Sequence, residues 1–232
     1  MNTISERLQL ILANIQAVKN SGGYPQTVQL LAVSKTQTAA TIRQAYDAGQ
    51  HFFGENYLQE ALEKQSQLTD LSIEWHFIGP IQSNKTQPIA QHFSWVHSID
   101  RLKIAQRLND ARPLDLPPLQ VCIQINVDSE ASKGGVAVHE LEDLAAAIKA
   151  LPHLRLRGLM AIPEPSSEQN KQRAQFHQVR QCYDDLLAKG YTLDTLSIGM
   201  SEDYPIAIEQ GATIVRIGSA LFGARQPKPI AT

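Results

Sequence analysis

Residues 28–34, VQLLAVS, form a short apolar run, and residues 38–48, TAATIRQAYDA, follow it with a helical pattern. The first segment is typical of a buried strand and the second of an amphipathic helix. A strand and a helix alternate in this way along the whole chain, which indicates parallel strands joined by crossover helices. The predicted strands are Val28–Ser34, His51–Gly54, Trp75–Gly79, Trp95–Ser98, Leu119–Val127, Leu154–Ile162, Leu193–Gly199 and Thr213–Gly218. The predicted helices between them include Thr38–Ala48, Tyr57–Gln67, Leu102–Leu108, His139–Leu151, Glu168–Lys189 and Glu202–Glu209.

Eight strands of this kind favour a closed barrel. Many of them are continuously apolar, as expected when both faces of a sheet are covered, and 232 residues fit the usual size of such a barrel. An open doubly wound sheet is the alternative, but its GxGxxG phosphate loop is absent from the sequence. We therefore predict an α/β fold, a single TIM-type (β/α)8 barrel over residues 1–232. An extra N-terminal helix within residues 1–22 precedes it, with Thr3 and Glu6 as a capping box.

Composition excludes several classes of function. Apolar residues make up 43% and charged residues 19% of the chain, which is typical of ordered globular proteins. The formal charge of −2 gives no broad attraction to nucleic acid or to anionic membranes, and no apolar run is long enough to span a membrane. We expect a cytoplasmic monomer without a signal peptide. Cys122 and Cys182 lack metal-ligand spacing, so we expect buried, inert thiols and no metal site.

The active face of such a barrel lies at the carboxyl ends of its strands. Lys35 follows the first predicted strand, so its amine would lie near the barrel mouth. Desolvation there would lower the pKa of the amine and favour the neutral form that attacks an aldehyde. An ordinary lysine reaching to water would show the same sequence, so Lys35 alone does not decide between the two interpretations.

Other candidates follow later strands at the same face. Asn56, after the second strand, offers a hydrogen-bond donor and an acceptor, or simply caps the next helix. Ile78, near the end of the third strand, could pack on a flat ring or belong to the core, and a core histidine is expected at His76. Arg216 lies inside an apolar strand, where its charge is costly unless it is paired or contacts a ligand.

Barrels often hold phosphate in the loops after strands 7 and 8. Met200-Ser201 follows the predicted seventh strand, and Gly218-Ser219 follows the eighth. Two helix N-termini with small hydroxyl residues, side by side, would form an anion site. Together with Lys35 this site predicts a ligand that carries both an aldehyde and a phosphate. Pyridoxal 5′-phosphate is one such molecule, and a sugar phosphate bound by a Schiff-base aldolase is another.

The order and spacing of several segments resemble a known family. These segments are Ala32-Val33-Ser34-Lys35, Phe53-Gly54-Glu55-Asn56-Tyr57, Trp75-His76-Phe77-Ile78-Gly79, Val96-His97-Ser98, Leu156-Arg157-Gly158-Leu159-Met160 and Gly199-Met200-Ser201, and Val215-Arg216-Ile217-Gly218-Ser219 closes the series. They resemble the pyridoxal phosphate homeostasis proteins, the YggS/PROSC family, which are related to the barrel domain of alanine racemase. The likeness extends over nearly the whole chain. One departure is Thr36-Gln37-Thr38, where many members have a second lysine and a proline.

The resemblance implies a cofactor site. It implies a Schiff base between Lys35 and pyridoxal 5′-phosphate, phosphate contacts from Ser201, Gly218 and Ser219, and Arg216 opposite the pyridine nitrogen. Asn56, Ile78 and Met200 complete the predicted cofactor-binding set.

The resemblance also implies a function in intracellular vitamin B6 and amino-acid homeostasis without established catalysis, and apo-enzymes that need the cofactor are the implied recipients. A racemase-like enzyme with the same cofactor is the alternative. We expect no second domain of the kind that supplies the opposite tyrosine in racemases. No catalytic residue is therefore predicted.

Overall fold

The computed structural model describes residues 3–127 and 134–223. The strands are β1 Gln29–Val33, β2 Phe52–Glu55, β3 Glu74–Phe77, β4 Trp95–Ile99, β5 Leu119–Asn126, β6 Val136–Ala137, β7 Leu154–Met160, β8 Thr195–Ser197 and β9 Ile214–Ile217. The helices are α1 Ile4–Gly22, α2 Ala39–Asp47, α3 Leu58–Gln67, α4 Thr86–His92, α5 Leu102–Ala111, α6 Leu141–Lys149, α7 Gln169–Ala188, α8 Tyr204–Glu209 and α9 Ser219–Phe222.

Eight parallel strands close into a barrel, as predicted. The order runs from β1 through β2, β3, β4 and β5 to β7, β8 and β9, and β9 pairs again with β1. The closing seam joins Leu31 to Arg216 in register. The two-residue strand β6 pairs with β5 and takes no part in the closure.

The predicted N-terminal helix is confirmed. Helix α1 begins after Thr3, whose side chain accepts from the Glu6 amide while the Glu6 carboxylate accepts from the Thr3 amide. Such a capping box satisfies two otherwise unpaired donors of the first turn. Helix α1 packs on α8 and α9, and Arg7 donates to the Leu221 carbonyl at 2.6 Å.

The predicted strand positions agree with the structure to within a few residues, and the differences lie at the ends. Strand β1 stops at Val33, so Lys35 lies in the following turn and not on the strand. Helix α8 begins at Tyr204 and not at Glu202. No helix was predicted at α4 or α9 and no strand at β6. The polar segment after the fifth predicted strand fits either a loop over the barrel mouth or a solvated connection, and its residues 128–133 lie outside the described residues.

The core fills both the barrel interior and the layer between strands and helices. Cys122 and Cys182 are both buried, and burial raises the pKa of each thiol, as expected for inert cysteines. Among the residues that the structure describes, no helix is long and apolar enough to cross a membrane.

Candidate functional site

A cavity of about 320 Å³ opens at the carboxyl ends of the strands. Its size falls within the range of small-molecule sites. All of the predicted cofactor residues line this one cavity: Lys35, Asn56, Ile78, Met200, Ser201, Arg216, Gly218 and Ser219. The structure therefore brings together the strand-1 lysine and the loops after the last two strands, while the binding role of each residue stays a prediction.

The turn that carries Lys35 is held in an unusual conformation. Thr36 has a φ of 65°, in the left-handed region that β-branched residues rarely adopt. Its amide donates to the Glu60 carboxylate at 2.5 Å, and the Gln37 amide donates to the Ser34 carbonyl at 3.0 Å. Strain of this kind persists only where the surroundings fix it, and it is common at ligand sites.

A buried ion-pair cluster beneath the turn supplies that support. The Lys64 ammonium donates to the Ser34 carbonyl at 2.7 Å, to Glu55 at 2.8 Å and to Glu60 at 2.6 Å. The Ser34 hydroxyl also donates to Glu55, at 2.6 Å. Burial raises the pKa of the Glu55 carboxyl, and the Lys64 charge opposes that rise. The cluster thus binds the turn on both sides of Lys35.

Sequence reasoning missed this cluster. Glu55 is the fully buried last residue of β2, and the sequence gives it no distinct role. Asn56 is not a helix cap, because α3 begins after Tyr57. Only the pairing of β1 with β2 brings Glu55 under Ser34, and no spacing in the sequence shows that contact.

Asn56 presents an unsatisfied polar group at the cavity wall. Its Oδ1 atom is buried and has no hydrogen-bond partner among the described residues. Buried polar atoms in native proteins are almost always paired, so this amide is a natural contact for a ligand. Gly79 fixes the position of the backbone there, because a Cβ atom at residue 79 would lie 2.1 Å from the Asn56 carbonyl oxygen.

The rim after β8 is built on a glycine. Gly199 has a φ of 89°, and a Cβ atom there would lie 2.5 Å from the Ala207 Cβ. The chain turns at this point into Met200, whose amide donates to Asp203 at 2.6 Å. Burial raises the pKa of the Asp203 carboxyl.

The phosphate rim differs from the prediction in one respect. Ser201 precedes α8 by three residues, so it is not the N-cap of that helix. Its hydroxyl oxygen instead lies 3.5 Å from the Ala220 amide nitrogen. Gly218 does directly precede a helix, the short α9 that begins at Ser219. The two loops meet at the cavity, but through this hydroxyl and not through two adjacent helix N-termini.

Arg216 is fixed from inside the barrel. It is only 4% exposed, yet it lines the cavity. Its guanidinium donates to the carbonyl and the hydroxyl of Ser197 and to the Ala161 carbonyl. Burial lowers the pKa of Arg216 to about 10, so it remains charged at neutral pH.

The cavity has further lining residues that were not predicted. Ile162, Pro165, Ser166 and Gln172 come from the loop and helix after β7. The rule that sites lie at strand ends could have found this loop. The other additional lining residues are Val33, Thr36, Gln37, Glu202, Asp203 and Gly223.

The barrel and its cavity define a class of protein. A family model described as alanine racemase, N-terminal domain, matches residues 7–226, so the chain is a barrel of this class. The alanine racemase of Clostridium difficile has the same fold, with a TM-score of 0.74 at 14% identity over 96% of this chain and 58% of the racemase.

Closer relatives narrow the class. A pyridoxal phosphate homeostasis protein of Pseudomonas aeruginosa is 60% identical over 97% of this chain and 97% of its own length. One of Escherichia coli K12 is 51% identical, covering 97% and 98% of the two chains. The chain belongs to the pyridoxal phosphate homeostasis protein family. PipY of Synechococcus elongatus, solved with PLP bound, is 37% identical with a TM-score of 0.85 over 95% of this chain and all (100%) of PipY.

Proposed function

We propose that this chain binds pyridoxal 5′-phosphate as a Schiff base on Lys35 and serves in the homeostasis of that cofactor and of amino acids. The observation that carries the proposal is the meeting of Lys35, Ser201 and Arg216 in one cavity of about 320 Å³. The homeostasis proteins among the relatives and the PLP-bound PipY structure support the same cofactor.

The residues present fit each part of this cofactor. Lys35 offers an amine for the aldehyde, and the Ser201 and Ser219 hydroxyls offer donors for the phosphate. Ile78 offers an apolar surface for the ring, and Arg216 offers donors for the ring nitrogen. The buried Asn56 amide, with its unpaired oxygen, gains a polar partner when such a ligand binds.

Lys35 carries the covalent step. Its amine would add to the aldehyde carbon, and the aldehyde oxygen would leave as water as the C=N bond formed. The ion-pair cluster around Lys64 holds the turn, so the amine is presented without a rearrangement of the backbone. The bound group supplies an electron sink for amino-acid chemistry when its ring nitrogen is protonated.

Arg216 favours retention of the cofactor over turnover. A charged guanidinium only donates hydrogen bonds, and it does not readily give up a proton at neutral pH. A ring nitrogen opposite it would therefore stay unprotonated, and the electron sink would be weak. We propose a carrier that delivers the cofactor to apo-enzymes and has at most weak racemase-like activity.

The first experiment tests the covalent site. Purified chain is titrated with pyridoxal 5′-phosphate while the visible absorption band of a lysine Schiff base is recorded. We expect one equivalent to bind, and we expect Lys35→Ala to abolish the band while keeping the circular dichroism spectrum. Lys149→Ala is the matched control, because Lys149 is an exposed lysine at the end of α6. A band of unchanged intensity in Lys35→Ala would contradict the assignment.

The second experiment separates a carrier from an enzyme. The loaded chain is mixed with an apo-enzyme in the presence of a trap for free cofactor, and recovery of that enzyme's activity is followed. Exchange of the Cα proton for deuterium is measured in parallel on a panel of amino acids. Transfer that outpaces the trap supports the carrier. Fast, saturable exchange that depends on Lys35 would instead support the racemase-like alternative.

A further inference from the structure

A line of buried polar side chains crosses the interior of the barrel below the cavity. The Ser197 hydroxyl, which accepts from Arg216 at 2.9 Å, lies 2.9 Å from His97 Nδ1. His97 Nε2 lies 2.9 Å from His76 Nδ1, and His76 Nε2 lies 3.1 Å from the Glu74 carboxylate. Ser197 and both histidines are completely buried, whereas the Glu74 side chain is 40% exposed.

The Glu74 carboxylate and the neutral state of both histidines fix the direction of the hydrogen bonds in this line. A carboxylate only accepts, so His76 Nε2 donates to Glu74, and the neutral His76 ring then accepts at Nδ1 from His97 Nε2. The neutral His97 ring accepts in turn at Nδ1, so the Ser197 O–H donates to it while the Ser197 oxygen accepts from Arg216. Burial lowers the pKa of both histidines, which agrees with their neutral state.

The four hydrogen bonds therefore form one continuous line, and every bond in it is donated in the direction from Arg216 to Glu74. Hydrogen bonds in such a line polarise one another, and the effect is strong where the surroundings exclude water. The Glu74 carboxylate lies where β3 starts, and Arg216 lies at the other end of the barrel. Through the line, Glu74 thus makes the Ser197 oxygen a stronger acceptor for the Arg216 guanidinium. Trp95 covers one side of this line, because its ring stacks on the His76 ring with 5.3 Å between the ring centroids.

Two backbone carbonyls and the Ser197 hydroxyl fix the plane of the guanidinium. Three of the five N–H donors of Arg216 bond to Ser197 and Ala161, all on the protein side. Rotation of the group would break all three bonds together. The other two N–H donors take no part in these three bonds, and Arg216 lines the cavity.

We propose that Ser197, His97, His76 and Glu74 are positioning residues that set how firmly Arg216 holds the ring nitrogen of a bound pyridoxal phosphate. The proposal rests on the proposed function for the role of Arg216. It makes retention of the cofactor depend on a carboxylate at the opposite end of the barrel, which contacts neither the cavity nor the ligand.

The test uses the full chain and two substitutions that leave the cavity lining intact. Ser197→Ala removes the hydroxyl that joins Arg216 to the histidines, and Glu74→Gln keeps an acceptor but removes the terminal charge. We expect Ser197→Ala to raise the dissociation constant for pyridoxal phosphate about tenfold, the usual scale for a hydrogen bond to a charged group. Glu74→Gln should give a smaller rise of about threefold, through weaker polarisation along the chain.

A spectroscopic measurement distinguishes positioning from general loosening. The absorption maximum of the bound cofactor should shift in both variants, because the electron density at the ring nitrogen changes. Thr195→Val is the matched control. It deletes a buried hydroxyl on the same strand, β8, and this hydroxyl bonds to Asp194 and not to any residue of the line. Wild-type affinity and an unshifted band in both Ser197→Ala and Glu74→Gln would overturn the proposal.

A third measurement needs no ligand, so it separates this inference from the proposed function. Nitrogen-15 chemical shifts of labelled histidines in the apo-protein report which ring nitrogen carries the proton. We expect the neutral Nε2–H form for both His76 and His97. A proton on Nδ1 of His97 would disprove the proposed line of hydrogen bonds even if the cofactor binds. A wild-type protein that shows these tautomers but binds no pyridoxal phosphate would disprove the proposed function instead.

Discussion

Replacing Lys64 with methionine should destabilise the fold and loosen the turn that carries Lys35. The Lys64 side chain is 6% exposed and Glu55 is 0% exposed, so the pair is shielded from water. Methionine keeps the length and apolar stem of lysine but removes the charge. Glu55 then keeps only the Ser34 hydroxyl as a donor for its bonded oxygen, and the Ser34 carbonyl loses the ammonium.

The magnitude follows from the choice that Glu55 then faces. Breaking a buried ion pair costs about 3–5 kcal/mol when the remaining charge stays buried. Glu55 can avoid part of that cost by taking up a proton. From an ordinary pKa of 4.5, protonation at pH 7 costs about 3.4 kcal/mol, and at pH 5 it costs about 0.7 kcal/mol. The folded-state pKa of Glu55 is raised further in the variant, so its stability deficit grows as pH rises.

The assay is urea denaturation of wild type and Lys64→Met at pH 7 and at pH 5. We expect a loss of about 3 kcal/mol at pH 7 that shrinks by about 2 kcal/mol at pH 5. Glu55→Gln in the Lys64→Met background should recover most of the loss. Lys189→Met is the control, because Lys189 pairs with Glu142 at an exposed site and its loss should cost much less stability than Lys64→Met. An equal loss at both pH values would refute the reasoning.

Three further predictions concern other parts of the site. The unfolded chain takes up protons on His76 and His97 near pH 6.5, whereas burial lowers the pKa of both in the folded chain. The free energy of unfolding should therefore fall by up to about 1.3 kcal/mol per histidine from pH 7 to 5.5. A His97→Asn variant whose free energy of unfolding changed with pH as much as that of the wild type would contradict this. Thr36→Gly should melt at a higher temperature than Thr36→Ala, because only glycine adopts the φ of 65° without strain, and the reverse order would count against strain in the turn. Gly199→Ala should lose more stability than Gly190→Ala on urea denaturation, because both have positive φ but only the first adds a Cβ atom within 2.5 Å of another side chain; equal losses would show that Ala207 moves aside.

Much of the barrel could be predicted from local pattern alone. The apolar strands and the helices between them depend on residues near in sequence, and their number decides the closure. The missed helix α4 shows where this information fails. It contains Pro88 and follows a short 3-10 turn, Ser83–Lys85, so no clear apolar repeat marks it.

Some residues of the site could be predicted from the sequence, and others could not. Lys35, Ser201 and Arg216 could be placed because the ends of parallel strands meet at one face. The supports beneath them could not, because they depend on contacts between distant residues. Ser197 and His97 are 100 positions apart in the chain, and only the closed barrel brings them within 2.9 Å of each other.

The seam between β1 and β9 has a consequence for how the protein is made. Leu31 pairs with Arg216, and α1 packs on α8 and α9. The first segments of the chain to be made therefore gain these partners only after the last segments have been made. During synthesis, Lys35 leaves the ribosome long before Arg216 and Ser219 exist to complete the cavity around it. The nascent chain therefore carries Lys35 before the other walls of the cavity have been made. The residues that line the cavity come together only when the last strand pairs with the first.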